Sequence, residues 1–234
     1  MPAVTISSKV SASFSQPQVY HHGFTSHAHG PVIHASVTSK TKRLIDIIGA
    51  LVGLVVTVLV AIPVAIAMQI DNPGPLLYSQ IRCGYKGMPF TLWKFRSMVV
   101  NAEQLKHLVN NQAAGHIFKN DHDPRITRVG RFLRRTSLDE FPQFWNVLMG
   151  EMSLVGTRPP TVDEVSHYLP RHMDRLNVKP GLTGEWQTRG RSSIKDFEEI
   201  VRMDLEYQQK WSVLYDIQLI LKTFIVIFRK EGAW

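Results

Sequence analysis

The sequence predicts an α+β, mainly helical fold: a re-entrant membrane helix near the N-terminus, a small β-hairpin, and a helical domain with amphipathic helices at the membrane interface. Three observations carry the prediction. Residues 47–68 form a 22-residue stretch without a charge, interrupted by Pro63 and flanked by bases on both sides. Two short runs, 76–82 and 90–96, read as strands around the glycine turn 84–87. From residue 99 onward the chain reads mostly as helices punctuated by proline and glycine.

Residues 1–39 are rich in serine, histidine and small side chains, with few large apolar ones. Such a composition cannot offset the entropy of ordering, so a disordered polar tail is expected. His21, His22, His27, His29 and His34 follow no fixed ligand spacing, which favours an incidental tail over a metal site. The apolar run starts too late and continues too long to be the core of a signal peptide. As a continuous helix, residues 47–68 would reach roughly 33 Å, enough to cross the hydrocarbon of a bilayer. Pro63 removes a helix hydrogen bond two-thirds of the way along. Lys40, Lys42 and Arg43 precede the run, and Arg82, Lys86, Lys94 and Arg96 follow it, so the basic residues set no inside–outside bias. Both facts suit a helix over 40–70 that enters the membrane, bends at Pro63 and returns to the same face. A simple span and a buried core helix are the alternatives, and the absence of a polar face argues against the second.

After the turn Asp71-Asn-Pro-Gly-Pro75 comes a hairpin whose second strand presents Lys94 and Arg96. Residues 99–114 suit a helix, and 121–124 a loop. Residues 128–149 read as helical with an interruption at Pro142, and 161–177 as a further helix. A glycine-rich loop from Pro180 to Gly190 precedes a helix over about 195–211. The last run, 213–228, carries Asp216 and Lys222 and is too polar for a confident span. It suits an interfacial helix with Trp211 and Tyr215 at headgroup depth, with a buried core helix as the rival.

Composition narrows the function. At 234 residues with 44% apolar content, one domain with extensions is expected. The net charge of +8 favours anionic partners without choosing among them. A single cysteine, Cys83, excludes an intrachain disulfide and a multi-cysteine metal cage, and nothing pairs it with a base.

The run Thr136-Ser-Leu-Asp139-Glu140 puts two adjacent carboxylates where a helix should start, behind Arg131, Arg134 and Arg135. Ser137 and Glu140 match a capping box, which is the plain structural explanation for the glutamate. The sharper one is phosphate chemistry. A carboxylate kept ionised at a helix start is a competent nucleophile toward phosphorus, provided Mg²⁺ or arginine neutralises the phosphate. Candidates for that neutralisation are Lys94, Arg96, Arg125, Arg128, Arg134, Arg135, Arg158, Arg189 and Arg191. Arg158 and Arg191 stand out because each follows a glycine within two positions, where backbone can approach a ligand.

These residues belong to an ordered series of motifs. It runs through Lys42-Arg43-Leu-Ile-Asp46, Pro73-Gly-Pro75, Gln80-Ile-Arg82-Cys-Gly84, Lys94-Phe-Arg96-Ser-Met98 and Asp123-Pro-Arg125-Ile-Thr-Arg128-Val-Gly130. It continues with the carboxylate run, Pro142-Gln143, Trp145-Asn-Val-Leu148, Gly150-Glu-Met-Ser-Leu-Val-Gly156, Lys179-Pro-Gly-Leu-Thr-Gly184, Trp186-Gln187 and Gly190-Arg191. Over residues 40–234 the series resembles the bacterial sugar transferases, the monotopic polyprenyl-phosphate phosphoglycosyl transferases.

The resemblance implies a two-step reaction. The aspartate matching Asp139 attacks the β-phosphate of a UDP-sugar and expels UMP; undecaprenyl phosphate then takes the sugar-phosphate, the first lipid-linked intermediate of an exopolysaccharide or glycan. Glu140 matches the family's Mg²⁺-associated acid, and Arg134, Arg158 and Arg191 match basic positions near the phosphates, with Lys94 and Arg96 as further candidates. The same resemblance makes 40–70 a re-entrant helix broken at Pro63 and 71–234 a catalytic domain on the cytoplasmic face of the bacterial inner membrane. It assigns no nucleic-acid partner and allows a homo-oligomer. Larger relatives carry more membrane helices ahead of this domain, so the chain resembles the minimal form. Thr157 and Glu185 depart from the family pattern, where proline and an apolar residue are usual. The reading from another class is a membrane-anchored basic binding protein or scaffold whose acids only cap a helix. Hexose donors such as UDP-glucose or UDP-galactose are the expectation.

Overall fold

The computed structural model describes residues 33–190 and 194–229. Most of the predicted polar tail, residues 1–32, lies outside them. Within its described end, Ala35–Thr38 form a short helix α1, and His34 Nε2 hydrogen-bonds the Gln208 carbonyl at 3.0 Å.

Helix α2, Lys40–Asp71, begins where the Ser39 side chain accepts from the Lys42 amide. The chain stays helical through Pro63: α2 is one 32-residue helix with the proline inside it. Proline's fixed φ is already helical, so its penalty is a missing donor and crowding of the preceding turn. Packing on both sides holds the helix through that point. Lys42, Asp46, Ala50, Gly53, Val64 and Met68 are buried along one stripe, and Thr57 Oγ1 donates to the Phe141 carbonyl midway. Lys42 forms a buried ion pair with Asp216 at 2.6 Å, and at the far end Asp71 Oδ2 accepts from the Val129 amide at 2.8 Å. The other side of α2, including Val55, Val58, Leu59, Ile62 and Ile66, is exposed hydrocarbon.

The structure also changes what the flanking bases mean. Arg43 donates to the Val147 and Leu148 carbonyls, and Arg96 and Lys42 are buried. These charges tie the fold together internally, so counting them along the sequence says little about membrane orientation.

The hairpin forms as expected: β1, Leu77–Cys83, pairs antiparallel with β2, Pro89–Phe95, with Tyr78 opposite Lys94. Its turn uses Lys86 at φ 53° and Gly87 at φ 76°. The helix expected over 99–114 is reduced to a 3-10 turn at Lys106–Leu108. Asn111 Oδ1 accepts from the Ala113 and Lys119 amides, the local competition by which asparagine unseats helices. Helix α3, Arg128–Arg135, is followed by the 3-10 segment Leu138–Gln143 and by α4, Phe144–Met149. The interruption thus falls at Ser137, which takes φ 56°, and Pro142 sits inside the 3-10 segment.

A second sheet was not expected. Strand β3, Ser153–Val155, runs parallel to β4, Gly181–Thr183. Between them the chain makes α5, Val162–Ser166, and α6, Pro170–Met173, where Pro170 divides the predicted single helix. Helix α7 is Glu185–Thr188, α8 Phe197–Lys210 and α9 Val213–Arg229. Among the described residues four apolar clusters form the core. One joins Val64 and Met68 of α2 to Phe95 and Leu133; another joins Ala50 to Phe90, Leu92 and Val147. Val155, Tyr207 and Leu219 pack β3, α8 and α9 together.

Candidate active site

Helix α3 sets one wall of the site. Its N-cap, Thr127, accepts from the Gly130 amide at 2.9 Å. Gly130 presses on the loop after β2, where a Cβ would lie 1.9 Å from the Ser97 carbonyl oxygen. That approach lets Arg134 Nε donate to Ser97 Oγ at 2.9 Å. The left-handed Ser137 then turns the chain, and Asp139 and Glu140 enter the first 3-10 turn. Asp139 is buried. The capping box suggested for this run is not formed. The Ser137 amide donates to Arg134 O and the Glu140 amide to Ser137 O. The same Ser/Thr-x-x-Glu pattern closes instead at Thr161 and Glu164. Glu140 faces β2 and pairs with Lys94 Nζ at 3.1 Å.

Across the cleft, Arg158 makes a bidentate pair with Glu164 at 2.8 and 2.9 Å and lies over the Trp186 ring. Burial pushes the Glu164 carboxyl up, but the Arg158 charge and hydrogen bonds outweigh it and hold the group below its usual 4.5. The pair's contribution is therefore complete above pH 4.5 and is lost as pH falls through the depressed value. Glu164→Gln is expected to destabilise the protein at neutral pH, with the gap to wild type closing on acidification in thermal unfolding series. Arg82 donates to Gln80 and to the Pro159 carbonyl. Burial, then the neighbouring Arg158 charge, brings Arg82 down to about 10.

Lys94, Arg134, Asp139, Glu140 and Arg158 line one cleft of about 1630 Å³. Ile48, Val52 and Val56 of α2 and Ile220, Phe224 and Ile227 of α9 give it apolar walls. Three buried polar atoms on its lining residues, Gln143 Nε2, Trp186 Nε1 and Gln187 Oε1, have no hydrogen-bond partner among the described residues.

Not every expected residue joins this group. Arg96 also borders the cleft, and its side chain is engaged in the fold. Its guanidinium holds Asn72 and the Pro75 carbonyl, which fixes the turn after α2. Arg125 lines the cleft too but is locked to Asp123 at 2.6 Å, and Arg189, off the lining, pairs with Glu185 and Glu206. Arg191 lies outside the described residues. Thr157 and Glu185 are buried away from the cleft lining. Gly156 does approach a backbone closely, but that backbone is Lys179 O, 2.2 Å from where a Cβ would stand. Among residues the sequence reading overlooked, Glu164 could have been found from its capping-box spacing. Trp186 and Gln187 carried no signal beyond their motif.

No group of three or more His, Cys, Asp or Glu side chains capable of holding a metal exists among the described residues. An Mg²⁺ site here would need substrate oxygens beside the two carboxylates, which suits an ion that keeps water and phosphate ligands. Cys83 is a free, buried thiol raised by that burial, as an inert cysteine should be.

A long apolar helix packed lengthwise on a small α+β body, beside a cleft lined by carboxylates and bases, points to the class of membrane proteins. The chain belongs to the bacterial sugar transferase family, whose family model matches residues 37–230. It is 51% identical over 194 residues to the galactosyl transferase CpsE of Streptococcus agalactiae, covering 82% of this chain and 43% of that protein. It is 41% identical over 199 residues to the undecaprenyl-phosphate galactose phosphotransferase of Salmonella typhimurium, covering 82% and 41%. It is 34% identical over 200 residues to the exopolysaccharide production protein ExoY of Sinorhizobium fredii, covering 83% and 88%. The chain thus spans less than half the length of the first two relatives and most of the third.

Proposed function

We propose that this protein transfers a sugar 1-phosphate from a UDP-sugar to undecaprenyl phosphate, initiating exopolysaccharide or glycan assembly. In the first step an Asp139 carboxylate oxygen bonds to the β-phosphorus. The bond from that phosphorus to the bridging oxygen breaks, and UMP leaves. In the second, a phosphate oxygen of the acceptor bonds to the same phosphorus and Asp139 is released. The observation that carries the reading is that Asp139 and Glu140 share one cleft with Lys94, Arg134 and Arg158, and that this cleft has apolar walls from α2 and α9. Charge on the phosphates meets the bases, while the lipid has hydrocarbon beside it. Asp139 and Glu140 are the residues that would hold Mg²⁺, which would supply neutralisation of phosphate charge.

Further support comes from relatives named for galactose and glucose transfer to undecaprenyl phosphate. They favour a hexose donor. Both ends of α2 are tied to the same body, which favours a helix entering and leaving one face of the bacterial inner membrane, with the cleft on the cytoplasmic side. A donor panel tests the function. Purified protein in nanodiscs with undecaprenyl phosphate should release UMP from UDP-galactose or UDP-glucose and form a lipid-linked sugar. No UMP from any donor, including the UDP-N-acetylhexosamines, would leave the binding-protein reading standing.

A further inference from the structure

Helix α3 carries four arginines, and the structure divides them. Arg134 points to Ser97 and the cleft. Arg128, Arg131 and Arg135 are exposed, at spacings of three and four residues, and Arg135 also borders the cleft. On a helix these spacings put the three within about 60° of one another, opposite the fully buried Leu133. Their side chains make no hydrogen bond or ion pair among the described residues. That sets them apart, because Arg43, Arg82, Arg96, Arg125, Arg158 and Arg175 are all held by carboxylates, amides or carbonyls. Among the described residues no carboxylate forms an ion pair with these three, and Asp71, at the start of α3, accepts from the Val129 amide. Beside it Phe132 is 58% exposed, and the inner face of α3 packs on Val64 and Met68 of α2, whose outer face is bare hydrocarbon.

We infer that the α3 crest binds the anionic phospholipid headgroups of the leaflet that α2 enters. Unpaired arginines beside an exposed aromatic, on an element docked to a membrane helix, form the pattern of a helix held at a charged bilayer surface. The long side chains reach headgroup phosphates while their stems cover apolar surface. An anionic membrane would then hold the body in one orientation around α2. The inference rests on the membrane reading of α2 and is independent of the transfer chemistry.

Competition between vesicles tests it. Full-length protein released from detergent is offered equal amounts of phosphatidylcholine vesicles and phosphatidylcholine vesicles containing phosphatidylglycerol, separated afterwards by density. With each of the three arginines contributing on the order of fivefold, wild type should favour the anionic vesicles by about a hundredfold, and 0.5 M salt should erase most of that preference. The variant R128Q/R131Q/R135Q should share nearly equally, whereas R128K/R131K/R135K should keep the preference. Thermal unfolding of each variant separates lost recognition from lost fold. Equal sharing by wild type overturns the inference, as does an unchanged preference in the folded glutamine variant. Retention on an RNA oligonucleotide, released by the glutamine variant while vesicle sharing stays equal, assigns the crest to nucleic acid and also overturns it. Failure to bind either vesicle overturns the membrane reading together with the inference.

Discussion

Asp139→Asn is expected to lower UMP release from the active UDP-sugar by about 10³-fold or more while leaving the thermal unfolding midpoint near that of wild type. The amide keeps the shape of the carboxylate and removes its charge, so it cannot bond to phosphorus as the acid does. The site contains much that would survive the change. Lys94, Arg134 and Arg158 would still face the donor, so binding measured by calorimetry should persist when turnover is gone. A variant that turns over normally would reduce the carboxylate to a structural part of the 3-10 turn and favour the scaffold reading. Glu140→Gln should be milder, because Glu140 is proposed to assist through Lys94 and the metal rather than to form the bond.

The second large effect is on the fold. Asp216→Ala should destabilise the protein by about 3–5 kcal/mol, because it leaves the Lys42 ammonium buried without its carboxylate. Tyr207 Oη also donates to Asp216 at 2.8 Å and Trp211 Nε1 at 3.1 Å, so one side chain joins α2, α8 and α9. Replacing both charges, as in Lys42→Met with Asp216→Leu, should recover most of the loss, since the cost lies in the orphaned charge rather than in the missing attraction. Thermal or denaturant unfolding in detergent measures both. Equal loss in the single and double variants would mean that the hydrogen bonds of Asp216, not the charge balance, hold the helices.

That ion pair also shows where reading the sequence stopped. Lys42 and Arg43 looked like flanking bases of a membrane helix, and only the fold reveals that their partners are Asp216, 174 residues away from Lys42, and the last carbonyls of α4. Backbone carbonyls leave no mark in a sequence, so Arg96 was equally illegible as a clamp on the turn after α2. What was legible had a local cause. The hairpin announced itself through its glycine turn, α8 through its apolar pattern, and the carboxylate run through its place in a motif series. The parallel pair β3–β4 had no such signal. Its strands are three residues each and lie in separate stretches of chain, so no alternation builds up. The capping box expected at Ser137 and Glu140 closes instead at Thr161 and Glu164, while the left-handed Ser137 opens the turn that carries Asp139. Sequence pattern found the acids, and only the fold could say which bases share their cleft.

The central claim, that Asp139 bonds covalently to the transferred phosphate, is tested most directly by trapping. Wild-type protein is mixed with an active UDP-hexose without acceptor, quenched in acid, digested and analysed by mass spectrometry. The account expects one hexose-phosphate on the peptide containing Asp139, formed with one equivalent of UMP and discharged when undecaprenyl phosphate is added before the quench. Lipid product forming at full rate with no adduct on that peptide at any quench time, or with the adduct on another residue, would contradict it.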